Sequence, residues 1–159
     1  MRITLTLAAL LLFGCQSSPE VKKDTAALQQ PTGVLVSLER GACFGRCPIY
    51  VVEVRTDGAL HFKGERNVKV TEPVDVKLDA AQLERLTARF ERSGFSGWKD
   101  FTNHQVTDQA TVVLTFKGKT VHHYLGDDQA PDGLSQLERD VDAIIGTERW
   151  VSGVGTDTK

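Results

Sequence analysis

The chain has 159 residues, of which 19 are Lys or Arg and 21 are Asp or Glu, and its side chains are 40% apolar and 25% charged. That is the composition of one ordinary globular domain. Collagen-like, coiled-coil and wholly disordered chains each need a bias that is absent here, and the near-neutral balance gives no electrostatic reason for a nucleic-acid partner.

The first stretch is a processing signal. Arg2 is the only charge before an apolar run from Ile3 to Phe13, which suits a secretory leader and is too short to cross a bilayer as a helix. The run ends in Leu12-Phe13-Gly14-Cys15. This resembles the lipobox of bacterial lipoproteins, although Phe13 is bulkier than the small residue usual there. The resemblance implies cleavage after Gly14 and acylation of the Cys15 thiol, anchoring the protein to a membrane. Residues 16–32 are polar and without sustained periodicity, as a tether would be. By the same resemblance, Gln16 after the lipidated Cys favours an outer membrane, with the folded part facing the periplasm. The expected organisation is a leader over 1–14, the lipidated Cys and tether over 15–32, one domain over 33–151 and a disordered tail over 152–159.

Within the domain, Val34, Val36 and Leu38 alternate with Leu35, Ser37 and Glu39, and Tyr50, Val52 and Val54 alternate with Val51, Glu53 and Arg55, the period of half-buried strands. Thr56-Asp57-Gly58 predicts a hairpin turn, returning through Leu60 and Phe62. An extended stretch over Val68 to Leu78 is interrupted by Pro73, which predicts a bend or a sheet edge. Asp79 with Gln82 reads as a capping box; Leu83, Leu86 and Phe90 then form a helical stripe that stops at Gly94. The plan recurs: a strand over 111–116, a Lys117-Gly118-Lys119 turn, a strand over 120–125, and a helix from Pro131 with a stripe of Leu134, Leu137, Val141 and Ile144. Both helices contain Gln-Leu-Glu-Arg, at 82–85 and 136–139, and each is followed by a Trp, at 98 and 150. The expected fold is α+β, two hairpin-then-helix units forming a mostly antiparallel sheet with both helices on one face. The other face is expected to carry Leu35, Val51, Val113, His122 and Tyr124, an ordinary wet surface or a binding surface.

The sharpest motif is Cys43-Phe44-Gly45-Arg46-Cys47-Pro48-Ile49-Tyr50. In an oxidising compartment a structural disulfide between Cys43 and Cys47 is the default. Two other readings stay open. Arg46 could stabilise a thiolate for redox chemistry, although the box has CxxxC spacing and precedes a strand instead of opening a helix. Zinc could draw on His61, His104, His122 and His123, but no second motif completes four ligands, and His122 and His123 point to opposite faces of a strand. No metal and no cofactor is therefore expected. A hydrolytic site would have to join Asp108, Asp127 or Asp128 to His104, His122 or His123 across a concave pocket. Thr107-Asp108 also reads as a turn, and Tyr50 as a core residue with a bonded hydroxyl.

With Leu38-Glu39-Arg40 before the box, Asp57-Gly58 after it and Thr107-Asp108 ahead of a later strand, the chain resembles an uncharacterised family of bacterial exported domains and lipoproteins. That family is marked by a Cys-Phe-Gly-x-Cys-Pro-x-Tyr box. The likeness spans about Val34 to Trp150 and implies no activity. The expectation is a cell-envelope lipoprotein, held by Cys15, whose domain is a binding or structural module for an envelope protein and not an enzyme. The alternative is a thiol-disulfide active protein using Cys43 and Cys47.

Overall fold

Period-two alternation places six antiparallel strands in one sheet in the computed structural model, which describes residues 33–151 apart from Gln105. The segments predicted as leader, tether and tail, with Cys15, lie outside the described residues. The strands are β1 (Val34–Arg40), β2 (Ile49–Arg55), β3 (Ala59–Arg66), β4 (Val74–Lys77), β5 (Thr111–Phe116) and β6 (Lys119–Tyr124), in the order β4-β3-β2-β1-β5-β6. Helices α1 (Ala80–Ser93) and α2 (Asp132–Ile145) pack together on one face. The fold is α+β, as expected. The first strand lies inside the sheet, between β2 and β5, so the two hairpin-then-helix units share one continuous core.

That core is the set of inward side chains of the alternating strands. Val36 and Leu38 of β1, Val52 and Val54 of β2, Phe62 of β3 and Val112 of β5 are fully buried against Leu86 of α1 and Leu134, Leu137 and Val141 of α2. The α1 cap is as predicted: Asp79 Oδ1 accepts from the Gln82 N–H at 2.7 Å while Gln82 Oε1 accepts from the Asp79 N–H at 3.1 Å. Each helix ends at a left-handed glycine, Gly94 at φ 81° and Gly146 at φ 75°, where a side chain would be strained. A short 3₁₀ turn and then the Trp follow in both. The repeated tetrapeptides differ in phase: Glu84 is exposed, whereas Glu138 is buried. On α2 the deepest final position is Ile145, with Ile144 only partly covered, so the stripe runs one residue further round than predicted.

Both margins of the sheet are blunted. On one side β4 has four residues and follows Pro73, consistent with the predicted edge. On the other, Phe101 makes a one-residue parallel bridge to β6: its N–H donates to His122 O at 2.8 Å and its carbonyl accepts from Tyr124 N at 2.7 Å. Asp100 Oδ1 accepts the His122 N–H beside it, at 2.8 Å. The predicted extended stretch over 68–78 forms a strand only over Val74–Lys77. Its earlier part folds over Gly64 so closely that a Cβ there would overlap the Val70 carbonyl and lie 2.7 Å from Val68 Cγ2.

Candidate functional site: the cysteine loop and the charges beneath it

The loop joining β1 to β2 is the cysteine box, and hydrogen bonds hold it on both sides. Cys43 and Cys47 are joined by a disulfide with a Cα–Cα separation of 5.8 Å. Gly41 N–H donates to Thr111 O at 2.9 Å, Phe44 N–H to Asp108 O at 3.1 Å, and the Asn67 side-chain amide to Cys47 O at 2.9 Å. The loop is thus tied to the 102–110 segment on one flank and to the end of β3 on the other. At its tip Phe44 is 88% exposed. Val106, 53% exposed, and Leu125, 38% exposed, belong to the same end, because Leu125 N–H donates to Ala110 O and Gly126 abuts the Val106 carbonyl. A large aromatic held in water by a cross-linked loop gains nothing for the fold.

Directly beneath the loop lies a buried polar cluster. Asp142 of α2 accepts from Arg40 Nη2 at 2.7 Å and Nε at 3.1 Å, from the Tyr50 hydroxyl at 2.7 Å and from the Thr147 hydroxyl at 2.8 Å. Arg40 Nε also donates to the Tyr50 oxygen at 2.9 Å. One helical turn earlier, Glu138 Oε1 lies 2.7 Å from His123 Nδ1, both buried. Burial opposes the charge on Arg40, but Asp142 and the Tyr50 oxygen outweigh it and hold the guanidinium even more firmly protonated than usual. Burial, followed by the Asp142 charge, pushes the Tyr50 hydroxyl far up, so it remains a donor. Among the described residues no buried side-chain nitrogen or oxygen lacks a partner. The cluster therefore fixes the end of β1, on which the cysteine loop is mounted, to α2. Tyr50 is the bonded core residue that was expected. In the sequence, Glu138 and Asp142 carry no sign of their burial beyond the i,i+4 spacing alongside the apolar stripe.

The 102–110 segment is braced separately. Asp127 accepts from Asn103 N–H and Gln129 N–H, each at 2.9 Å, and these bonds hold its carboxyl below the usual aspartate value. The His104 ring lies 3.9 Å from the Tyr124 ring, and the Tyr124 oxygen accepts from Gln109 N–H at 3.1 Å. Thr107 hydroxyl donates to the Asp108 carboxylate at 3.1 Å, in a turn where Asp108 takes φ 71°.

Two of the five residues predicted for the open sheet face are not open. Leu35 is 7% exposed and belongs to the core, because the pairing of Val34 with Arg55 and of Val36 with Val54 places an extra residue in β1. Such a bulge breaks the parity on which the expectation rested. Tyr124 is 4% exposed, covered by the 102–110 segment. Val51 and Val113 are half-buried on either side of Glu39, with which both pair, and His122 is exposed beside Asp100. His122 and His123 take opposite faces. The His104 ring is tilted against Tyr124, while His123 is bonded to Glu138 inside the core and its charge helps to hold the Asp127 carboxyl down. Among the described residues no group of three or more His, Cys, Asp or Glu is placed to share a metal ion.

An α+β domain with a disulfide-closed loop braced over a buried ion cluster is thus the class of protein that the geometry defines. The family described as Domain of unknown function (DUF6438) matches residues 34–145, and the chain belongs to that family. No curated protein matches it.

Proposed function

We propose that the protein is a cell-envelope lipoprotein, anchored through Cys15 in an outer membrane and facing the periplasm, whose domain is a binding module engaging a protein partner through the cysteine-loop end. The observation that carries the binding role is Phe44, 88% exposed on a loop fixed by the Cys43–Cys47 disulfide and by its bond to Asp108. Exposed aromatics on rigid supports lose little entropy on docking and recur as interface anchors. The anchoring rests on the Ile3–Phe13 run and the Leu12-Phe13-Gly14-Cys15 ending. Partial exposure of both Cys43 and Cys47 supports the second reading, thiol–disulfide exchange.

Mass spectrometry of the mature protein should find residues 1–14 absent and a diacylglyceryl thioether on Cys15. An intact chain free of fatty acid overturns the anchoring. For the domain, a photo-crosslinking side chain at position 44 of the full chain should capture a protein in intact cells. Electron exchange with a disulfide substrate that disappears in Cys43→Ser with Cys47→Ser would instead favour the redox reading.

A further inference from the structure

One buried titratable pair takes no part in the contact proposed above. His123 of β6 and Glu138 of α2 are 3% and 2% exposed, with Nδ1 and Oε1 2.7 Å apart. One turn further along α2, Asp142 is buried too; its counter-ion is Arg40 of β1, and the Tyr50 hydroxyl of β2 donates to it. Arg40 also feels the Glu138 charge. After β6, Asp127 feels the charge of His123 and, more weakly, that of Lys99. The β5 residue paired with His123 is Val112, and α1 buries only Leu86 and Phe90. Among the described residues Glu138 has no ion-pair partner except His123. Its charge is therefore balanced only while the pair holds its extra proton, on nitrogen or on oxygen. Once that proton is lost, a buried carboxylate faces a neutral ring, and Glu138 and Asp142, four residues apart on one helix, share a single guanidinium.

His123 also stands at the root of the segment that braces the cysteine loop. The residues on either side of it grip Phe101: His122 O accepts the Phe101 N–H at 2.8 Å, and Tyr124 N–H donates to Phe101 O at 2.7 Å. From Phe101 the chain runs on to Asn103, whose N–H is held by Asp127, and to the Asp108 carbonyl that accepts the Phe44 N–H at 3.1 Å. We infer that the His123–Glu138 pair is a proton-operated switch for the cysteine-loop end: with its proton the pair seats β6 on α2 and keeps the 102–110 segment closed on the loop, and loss of the proton as pH rises loosens both. A proton held in the closed state and given up on opening favours the closed state in acid, and that advantage is lost as pH rises. Asp127, whose carboxyl is held below the usual aspartate value, responds only in stronger acid. The inference rests on the binding reading above for its output, the presentation of Phe44, and it names the regulation of that site.

Amide exchange of the full mature chain in detergent, followed by NMR from about pH 5 to about pH 9 across the ordinary histidine range and corrected for the intrinsic pH dependence of exchange, tests it. Protection of the Phe44 and Asn103 amides should fall in one step by about tenfold, the weight of one unit of difference in proton affinity between the closed and open states. Its midpoint should coincide with that of the His123 ring signals. His123→Gln keeps a donor for Glu138 but cannot take up the proton, so it should show the lower protection throughout and no step. His104→Gln, which removes the titratable ring of the segment itself, should keep the step. A flat profile overturns the inference, as does a midpoint apart from that of His123, or a step that survives in His123→Gln. Where His123→Gln fails to fold, the two midpoints in the unaltered chain decide alone. Capture by the crosslinking side chain at position 44 should fall over the same range, and equal capture at both ends overturns the pair as a control on binding. If the step is present and position 44 captures nothing at any pH, the binding reading falls and the switch stands. If a partner is captured and no step is found, the switch falls and the binding reading stands.

Discussion

The two helices cover one sheet by different means. Facing the sheet, α1 buries only apolar side chains, Leu86 and Phe90, and its ring stack of Phe90 on Phe116 has a centroid separation of 4.5 Å. In contrast, α2 buries Glu138 and Asp142 among its Leu and Val residues and bonds them to His123, Arg40, Tyr50 and Thr147. Apolar packing tolerates small slips, whereas a multiply bonded carboxylate accepts one geometry. The end of the molecule held to one geometry is the one that carries the cysteine loop.

The largest expected effect comes from breaking the α2 side. Asp142→Ala leaves Arg40 buried without its counter-charge and should cost about 4 kcal/mol in urea unfolding, more than the roughly 3 kcal/mol expected of Leu86→Ala on α1. Replacing the cluster as a unit, with Arg40→Met, Tyr50→Phe and Asp142→Leu together, should cost less than Asp142→Ala alone. If it costs more, the bonds supply net stability and not only geometry. Next in size is the loop itself. Cys43→Ser with Cys47→Ser opens a five-residue ring and should lower stability by about 2 kcal/mol, a fall in Tm of about 8 °C by calorimetry. Asp79→Ala removes the α1 cap and should cost about 1 kcal/mol, with no change at the cysteine loop in amide exchange.

The smallest effect sharpens the local side of the comparison. The Asn103 and Gln129 N–H groups depress the folded Asp127 value, so their contribution is complete above the unfolded value near about 4 and is lost as pH falls through the lower folded value. Acid should therefore release the 102–110 segment at a pH below about 4, visible as loss of protection at the Asn103 amide. In Asp127→Asn that step should vanish.

Much of this architecture was legible because the relevant signals are local. Alternation marked β1, β2, β3, β5 and β6, the Asp79–Gln82 pair marked the α1 start, and Pro73 marked an edge. What escaped depends on distant partners or altered parity. An acidic residue on a helix reads as solvated unless its counter-ion is known, and Arg40 lies 102 positions from Asp142. Leu35 escaped because one extra residue in β1 redirects its side chain, and Tyr124 because its cover comes from a loop with no periodicity. Phe44 stood in the most conspicuous motif of the chain, yet its exposure came from the direction of the loop, which spacing alone does not give.

The blunted margins of the sheet have a consequence of their own. Unpaired strand edges are where collisions between folded chains nucleate fibrils. With Pro73 and a four-residue strand at one side and Asp100 and Phe101 bonded to part of the other, neither margin offers a long unpaired strand for another chain to extend.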